Sequence, residues 1–263
     1  MATPQRITAP RIRGMKGGTE RIVSLTAYDA ISGAIADEAG VDLVLVGDSV
    51  GTAMLGMPST LNVSLEAMVH HTAAARQGVH RALLVADMPF GSYQSSVAQA
   101  VDSAVALVKA GAEAVKLEGA YTDAIRAIVK AGIPCMGHVG MTPQSVNNFG
   151  GHRVQGKGDG SHIVIQAAKE VDEAGAFSMV LELIPAALAR EITCTVSCPT
   201  IGIGAGLECD GQVQVFHDIL GLSPIKFKHA KVYCEGMELF REAVRSYASE
   251  VRAATFPTSE QSV

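Results

Sequence analysis

The chain has 263 residues, a formal net charge of −5, 48% hydrophobic residues and 18% charged ones. No apolar run reaches the ~18 residues of a membrane span, and an acidic balance with a pI near 5.9 argues against nucleic acid as the main partner. A charge fraction below the roughly 25% of an average soluble domain predicts surface buried between subunits, hence a homo-oligomer.

Residues 1–21 form an arm with Arg6, Arg11, Arg13, Lys16 and Arg21 against a lone acid, Glu20. It lacks the apolar core of a secretory signal. A packing or mobile arm is expected, with an organelle transit segment as the alternative. From Ile22 the chain alternates: strands are predicted near 22–28, 42–48, 81–87, 114–118, 134–139, 178–183, 199–204 and 225–229. Helices are predicted near 30–39, 64–77, 97–110, 121–131, 161–174, 185–196, 211–220 and 237–254. Within the third of these, Val97, Val101, Val105 and Val108 share a face, and Ser96 with Gln99 makes a capping box.

Ala39-Gly40, Ala110-Gly111, Ala131-Gly132 and Ala174-Gly175 each end a helix shortly before a strand, where glycine supplies the left-handed turn back to the sheet. Eight such units over residues 22–255 predict a single-domain (β/α)8 TIM barrel, with a doubly wound open sheet as the alternative. Residues 256–263 are a polar tail. Two connections, 49–63 and the glycine-rich 140–160, are long enough to cover an active face.

The cysteines, Cys135, Cys194, Cys198, Cys209 and Cys234, are odd in number and contain no CxxC pair. Neither a disulfide framework nor a zinc ribbon is favoured, and reduced thiols in a cytoplasmic protein are expected.

The chemistry gathers at strand ends. The buried run Leu43–Val46 leads through Gly47 to Asp48 and Ser49, which would either cap the next helix or face a site. Three later strands end alike: one stops at Asp87, one carries Lys116 and Glu118 two apart and therefore on one side, and one ends near Glu182. In a closed parallel sheet these ends converge on a single pocket. Asp48, Asp87 and Glu118 are hard oxygen ligands suited to Mg²⁺, which would bind a 2-oxo acid and stabilise its enolate. Lys116 would hold the substrate carboxylate, a Schiff-base role being the alternative, and Glu182 is the candidate base. His138 is placed beside the site as a substrate contact or supporting residue, and His70 and His71 as packing residues. Ile201-Gly-Ile-Gly-Ala-Gly206 has the wrong spacing for a dinucleotide fingerprint and reads as a glycine-lined loop after strand seven.

Several segments together resemble the ketopantoate hydroxymethyltransferase family: Leu25–Asp29, Val46–Ser49, His71–Ala74, Ala86–Phe90, Val115–Gly119, Gly137–Val146, Gly150-Gly151 with Val154–Gly156, Leu181-Glu182 and Ile201–Gly206. The resemblance implies transfer of a hydroxymethyl group from 5,10-methylenetetrahydrofolate to 3-methyl-2-oxobutanoate, with Mg²⁺, to give 2-dehydropantoate for pantothenate and coenzyme A. It implies Asp48, Asp87 and Glu118 as metal positions, Asp48, Ser49, Asp87 and Lys116 as substrate contacts, Glu182 as proton acceptor, and a homo-oligomer, commonly a decamer. A folate-independent lyase acting on a related 2-oxo acid would use the same acids, and a barrel that only binds a metabolite is a third reading.

Overall fold

The computed structural model describes residues 5–263 and contains a closed barrel of eight parallel strands, β1 (Ile22–Thr26), β2 (Leu43–Val46), β3 (Leu83–Asp87), β4 (Ala114–Lys116), β5 (Cys135–Gly140), β6 (Ser178–Glu182), β7 (Thr200–Ile203) and β8 (Gly211–Gln214). Each strand pairs with the next, and β8 closes on β1 with Ile22 opposite Gly211. Helices follow β1 to β6: Ala30–Glu38, Leu65–Arg76 (after the 49–63 connection), Val97–Lys109, Thr122–Lys130, Ser161–Glu173 (after the 140–160 connection) and Ala186–Thr195. The four expected returns all occur, with Gly40, Gly111, Gly132 and Gly175 at positive φ.

The eighth unit departs from expectation. The last strand is Gly211–Gln214, not 225–229, and the predicted helix over 211–220 shrinks to the single turn Phe216–Ile219. Gly204 and Gly206, both at positive φ, let β7 return to β8 without a helix. Gly211 is required there, because a Cβ would lie 2.4 Å from the carbonyl oxygen of Ile22. The 225–229 segment, Ile-Lys-Phe-Lys-His, alternates like a strand but has no sheet edge left to join.

The helix Val97–Lys109 also differs. Its buried face is Ala100, Ser103, Ala104 and Leu107, about a quarter turn from the valines, and Val97 is exposed. Small side chains allow close packing against the neighbouring elements, which the valine branches would prevent. Only half of the capping box forms: Ser96 Oγ accepts from the Gln99 N–H, while the Gln99 amide turns to the Gly91 carbonyl.

The barrel interior is filled by Ile22, Leu43, Leu45, Leu83, Val85, Ala114, Met136, Val180, Ile201 and Val213. The N-terminal arm is a packing element: Ile7, Ala9 and Ile12 join this core, with Ala9–Arg13 helical, and Lys16 Nζ and Gly17 N bond Asp210 at 3.0 and 2.8 Å. The first four residues of the predicted arm lie outside the described residues. Phe216–Val263 is a second compact unit. It holds the helix Gly236–Arg252, on which Leu239, Phe240, Val244, Tyr247 and Val251 are exposed, and a small cavity lined by Asp218, Ser223, Lys226 and Glu235 among others.

The closure at Gly211 yields a measurable expectation. Gly211→Ala drives a methyl group into the β1 backbone and should cost about 1–3 kcal/mol or more. Chemical denaturation checks it, and an unchanged midpoint would remove Gly211–Gln214 from the barrel.

Candidate active site

Strand alternation builds the site. Val85, Ala114, Met136 and Val180 line the core, so the residues two further on, Asp87, Lys116, His138 and Glu182, share their inward side at the C-terminal end. Glu118 continues the series one step past β4. Asp48 enters from the turn after β2. Gly47 occupies the inward phase there, and a Cβ on it would sit 3.5 Å from Asp87 Oδ2 and 2.8 Å from Ser49 Oγ. The six charged residues foreseen from sequence are thus brought together. Asp48, Asp87, Lys116, Glu118 and His138 are buried, while Glu182 keeps 17% of its side chain accessible.

Lys116 Nζ is ion-paired to Asp87 Oδ1 and lies 4.0 Å from Glu118 Oε1. Asp87 Oδ2 accepts from the Asp48 N–H at 3.0 Å. Burial alone would lower the Lys116 pKa, but Asp87, Glu118 and Asp48 outweigh it and hold the ammonium charged. A lysine held in that state is a poor Schiff-base nucleophile. Burial, then repulsion from Asp87 and Glu118, pushes Asp48 well above the usual carboxylate range. Burial would raise Glu118 too, yet contact with His138 and Lys116 and a bond from the Gln144 N–H bring it below its ordinary value.

His138 stands between two carboxylates, with Nδ1 3.4 Å from Glu118 Oε1 and Nε2 3.4 Å from Glu182 Oε2. Both contacts are electrostatic, since neither meets hydrogen-bond geometry. Burial and the Lys116 charge would lower its pKa, but the two acids lift it to about 9.

Ser49 does not cap the short helix Val50–Ala53. Its hydroxyl lies 2.8 Å from Tyr28 Oη, which also accepts from Thr26 Oγ1 at 3.0 Å. His71, a packing residue as expected, donates Nδ1–H to the Tyr28 carbonyl at 2.7 Å. Sequence reading missed Tyr28, Tyr93 and Gln144. Gln144, in the 140–160 connection, reaches into the acid cluster, bonding Asp48 through its side chain and Glu118 through its backbone N–H. Both Tyr28 and Gln144 lie inside segments that carried the family resemblance, which was the available signal.

Asp48, Asp87 and Glu118 are the residues able to hold a hard cation. Among the described residues no three His, Cys, Asp or Glu side chains form a ready-made metal cage. Mg²⁺ does not need one, since it keeps several waters and binds through one or two carboxylates. The donor chemistry and the excess of buried negative charge both fit it.

A closed parallel barrel whose C-terminal strand ends gather a lysine, a histidine and four acids defines an enzyme of the (β/α)8 class. Solved structures share that fold: phosphonopyruvate hydrolase in complex with oxalate and Mg²⁺ (TM-score 0.63, 14% identity, covering 97% of this chain and 93% of that one) and oxaloacetate acetylhydrolase with 3,3-difluorooxalacetate (TM-score 0.61, 15% identity, 95% and 98%). The chain belongs to the ketopantoate hydroxymethyltransferase family, whose model matches residues 6–259, and is a transferase. It is similar to the 3-methyl-2-oxobutanoate hydroxymethyltransferases of Aeropyrum pernix (51% identical, 98% of this chain and 95% of the relative) and Moorella thermoacetica (50%, 100% and 99%). The Neisseria gonorrhoeae enzyme of the same name is 48% identical over 97% of this chain and 98% of its own.

Removing the one ammonium of the cluster leaves buried carboxylates unpaired. Lys116→Met should therefore destabilise the fold by about 3–5 kcal/mol. The deficit should shrink as pH falls and Asp87 takes up a proton. Denaturation of both proteins at neutral and acidic pH checks this, and equal midpoints throughout would show that the pair is not a structural necessity.

Proposed function

We propose that this chain catalyses hydroxymethyl transfer from 5,10-methylenetetrahydrofolate to 3-methyl-2-oxobutanoate, giving 2-dehydropantoate in pantothenate synthesis. The observation that carries this reading is the convergence of Asp48, Asp87, Lys116, Glu118, His138 and Glu182 at adjacent strand ends in a chain of this family. Asp48 and Asp87, with Glu118 beside them, would hold Mg²⁺, which supplies Lewis-acid polarisation of a 2-oxo group.

The chain's own residues do the rest. Glu182, the acid with an accessible edge, takes the proton from C3 of the substrate. His138, charged between Glu118 and Glu182, holds the Glu182 carboxylate in place for that transfer. Lys116 contributes a fixed positive charge for the substrate carboxylate and the enolate oxygen, and Ser49 offers a hydroxyl oriented by Tyr28. C3 bonds to the methylene carbon, whose bonds to N5 and N10 of the folate break, water supplies the new hydroxyl oxygen, and the proton from C3 and one from water end on the two nitrogens of the departing tetrahydrofolate.

The enzyme works as a homo-oligomer, a decamer by the family resemblance. The exposed apolar stripe on Gly236–Arg252 supports assembly. A cytoplasmic setting agrees with five free thiols. No helix among the described residues is long and apolar enough to cross a membrane.

Proton NMR of 3-methyl-2-oxobutanoate in D₂O tests the first half of the reaction. The C3 signal should fade with protein and Mg²⁺, and persist with EDTA. Glu182→Gln should abolish exchange and turnover while substrate still binds, whereas Asp87→Ala should lose metal-dependent binding. Retained exchange in Glu182→Gln would remove Glu182 from the role. Product formed only when methylenetetrahydrofolate is added distinguishes the transferase from a lyase.

A further inference from the structure

Gln144 uses every hydrogen-bonding position of its side chain inside the acid cluster. Its amide nitrogen donates to Asp48 Oδ2 at 2.9 Å and to the Met88 carbonyl at 3.0 Å. Its amide oxygen accepts from Tyr93 Oη at 2.6 Å and from Gln94 Nε2 at 3.2 Å. Its backbone N–H donates to Glu118 Oε2 at 2.9 Å. One residue of a long loop thereby ties together the ends of β2, β3 and β4.

The amide can face only one way. Turned over, its oxygen would meet the Met88 carbonyl and its nitrogen the Gln94 NH2, and neither pair could form a hydrogen bond. Tyr93 favours the same sense from the far side: its hydroxyl accepts from the Glu118 N–H at 3.2 Å, and of the two acceptors within reach of its own proton, Gln144 Oε1 at 2.6 Å is nearer than the Glu118 carbonyl at 3.3 Å. Burial and the neighbouring acids push the Tyr93 phenol upward, so that proton stays on.

The hydrogen bonds to the three acids fall on Asp48 Oδ2, both Asp87 oxygens and Glu118 Oε2; among the described residues none falls on Asp48 Oδ1. A neutral amide orients Asp48 without placing a positive charge beside it, as a lysine or arginine at 144 would. We infer that Gln144 is a positioning residue that fixes the Asp48 carboxylate by Oδ2 and so presents Oδ1 to the cation and the 2-oxo acid. This rests on the proposed role of Asp48 in that site.

The test compares full-length wild type with Gln144→Met, which keeps length and volume, and with Tyr93→Phe, which removes only the hydroxyl steering the amide. Mn²⁺ binding without substrate, followed by electron paramagnetic resonance, should weaken about 10–100-fold in Gln144→Met, the usual effect of losing a partner that orients a ligating carboxylate. The loss in Tyr93→Phe should be several-fold. The KM for 3-methyl-2-oxobutanoate should rise in parallel, while that for methylenetetrahydrofolate stays within about twofold; a purely structural role would not split the two. In an Asp48→Asn background, Gln144→Met should add little, because residues acting through one another are not additive. Mn²⁺ affinity and KM within about twofold of wild type in both variants, or additive losses with Asp48→Asn, would overturn the inference. If Gln144→Met does not fold, the Tyr93→Phe result decides. If wild type binds Mn²⁺ but turns over no substrate, the proposed reaction fails while the Mn²⁺ titrations still judge Gln144.

Discussion

Three carboxylates buried within reach of one ammonium are the constraint on which the site depends. Taking an ion out of water costs several kcal/mol unless it is paired and hydrogen-bonded. Lys116 meets that condition for Asp87, and His138 and Lys116 together ease Glu118. Asp48 is left with a backbone-deep position, two acidic neighbours and a neutral amide, so its charged form is the least favoured of the three. A pocket in that condition favours an arriving cation over an arriving anion. The barrel tolerates the arrangement because parallel strands deliver all the groups to one end, over a largely apolar core.

That end was the most legible part of the chain. A buried strand ending in an acid is a local pattern, and its repetition at 48, 87, 118 and 182 needed only the strand period of two to become a site. The alanine–glycine returns were legible for a similar reason, since a left-handed residue after a helix leaves few choices but glycine. Lys116 and Glu118 share a side in sequence and in structure alike.

What stayed hidden depends on contacts across long separations. Gln144 lies 96 residues from Asp48, in a loop without periodicity, and nothing local distinguishes it from a solvated glutamine. The helix Val97–Lys109 shows an apolar stripe of valines, yet the barrel took the adjacent stripe of alanine and serine because close approach outweighed side-chain bulk. The last strand was misplaced because Gly211-Gln-Val-Gln214 is short and half polar, whereas the lysine-rich segment after it alternates more cleanly. Only the fit of Gly211 against Ile22 identifies the true closing strand.

The arm that seals the base of the barrel ties the two ends of the fold in time as well as in space. Gly17 and Lys16 bond to Asp210, 193 and 194 residues later. On a ribosome adding about 5–20 residues per second, the arm is made roughly 10–40 s before its anchor exists. Through that interval Ile7 and Ile12 have no complete seat, and the half-built barrel has an open edge on either side. The nascent chain therefore spends most of its synthesis without the contact that closes it, and its exposure to misassociation is set by how quickly the last strand emerges.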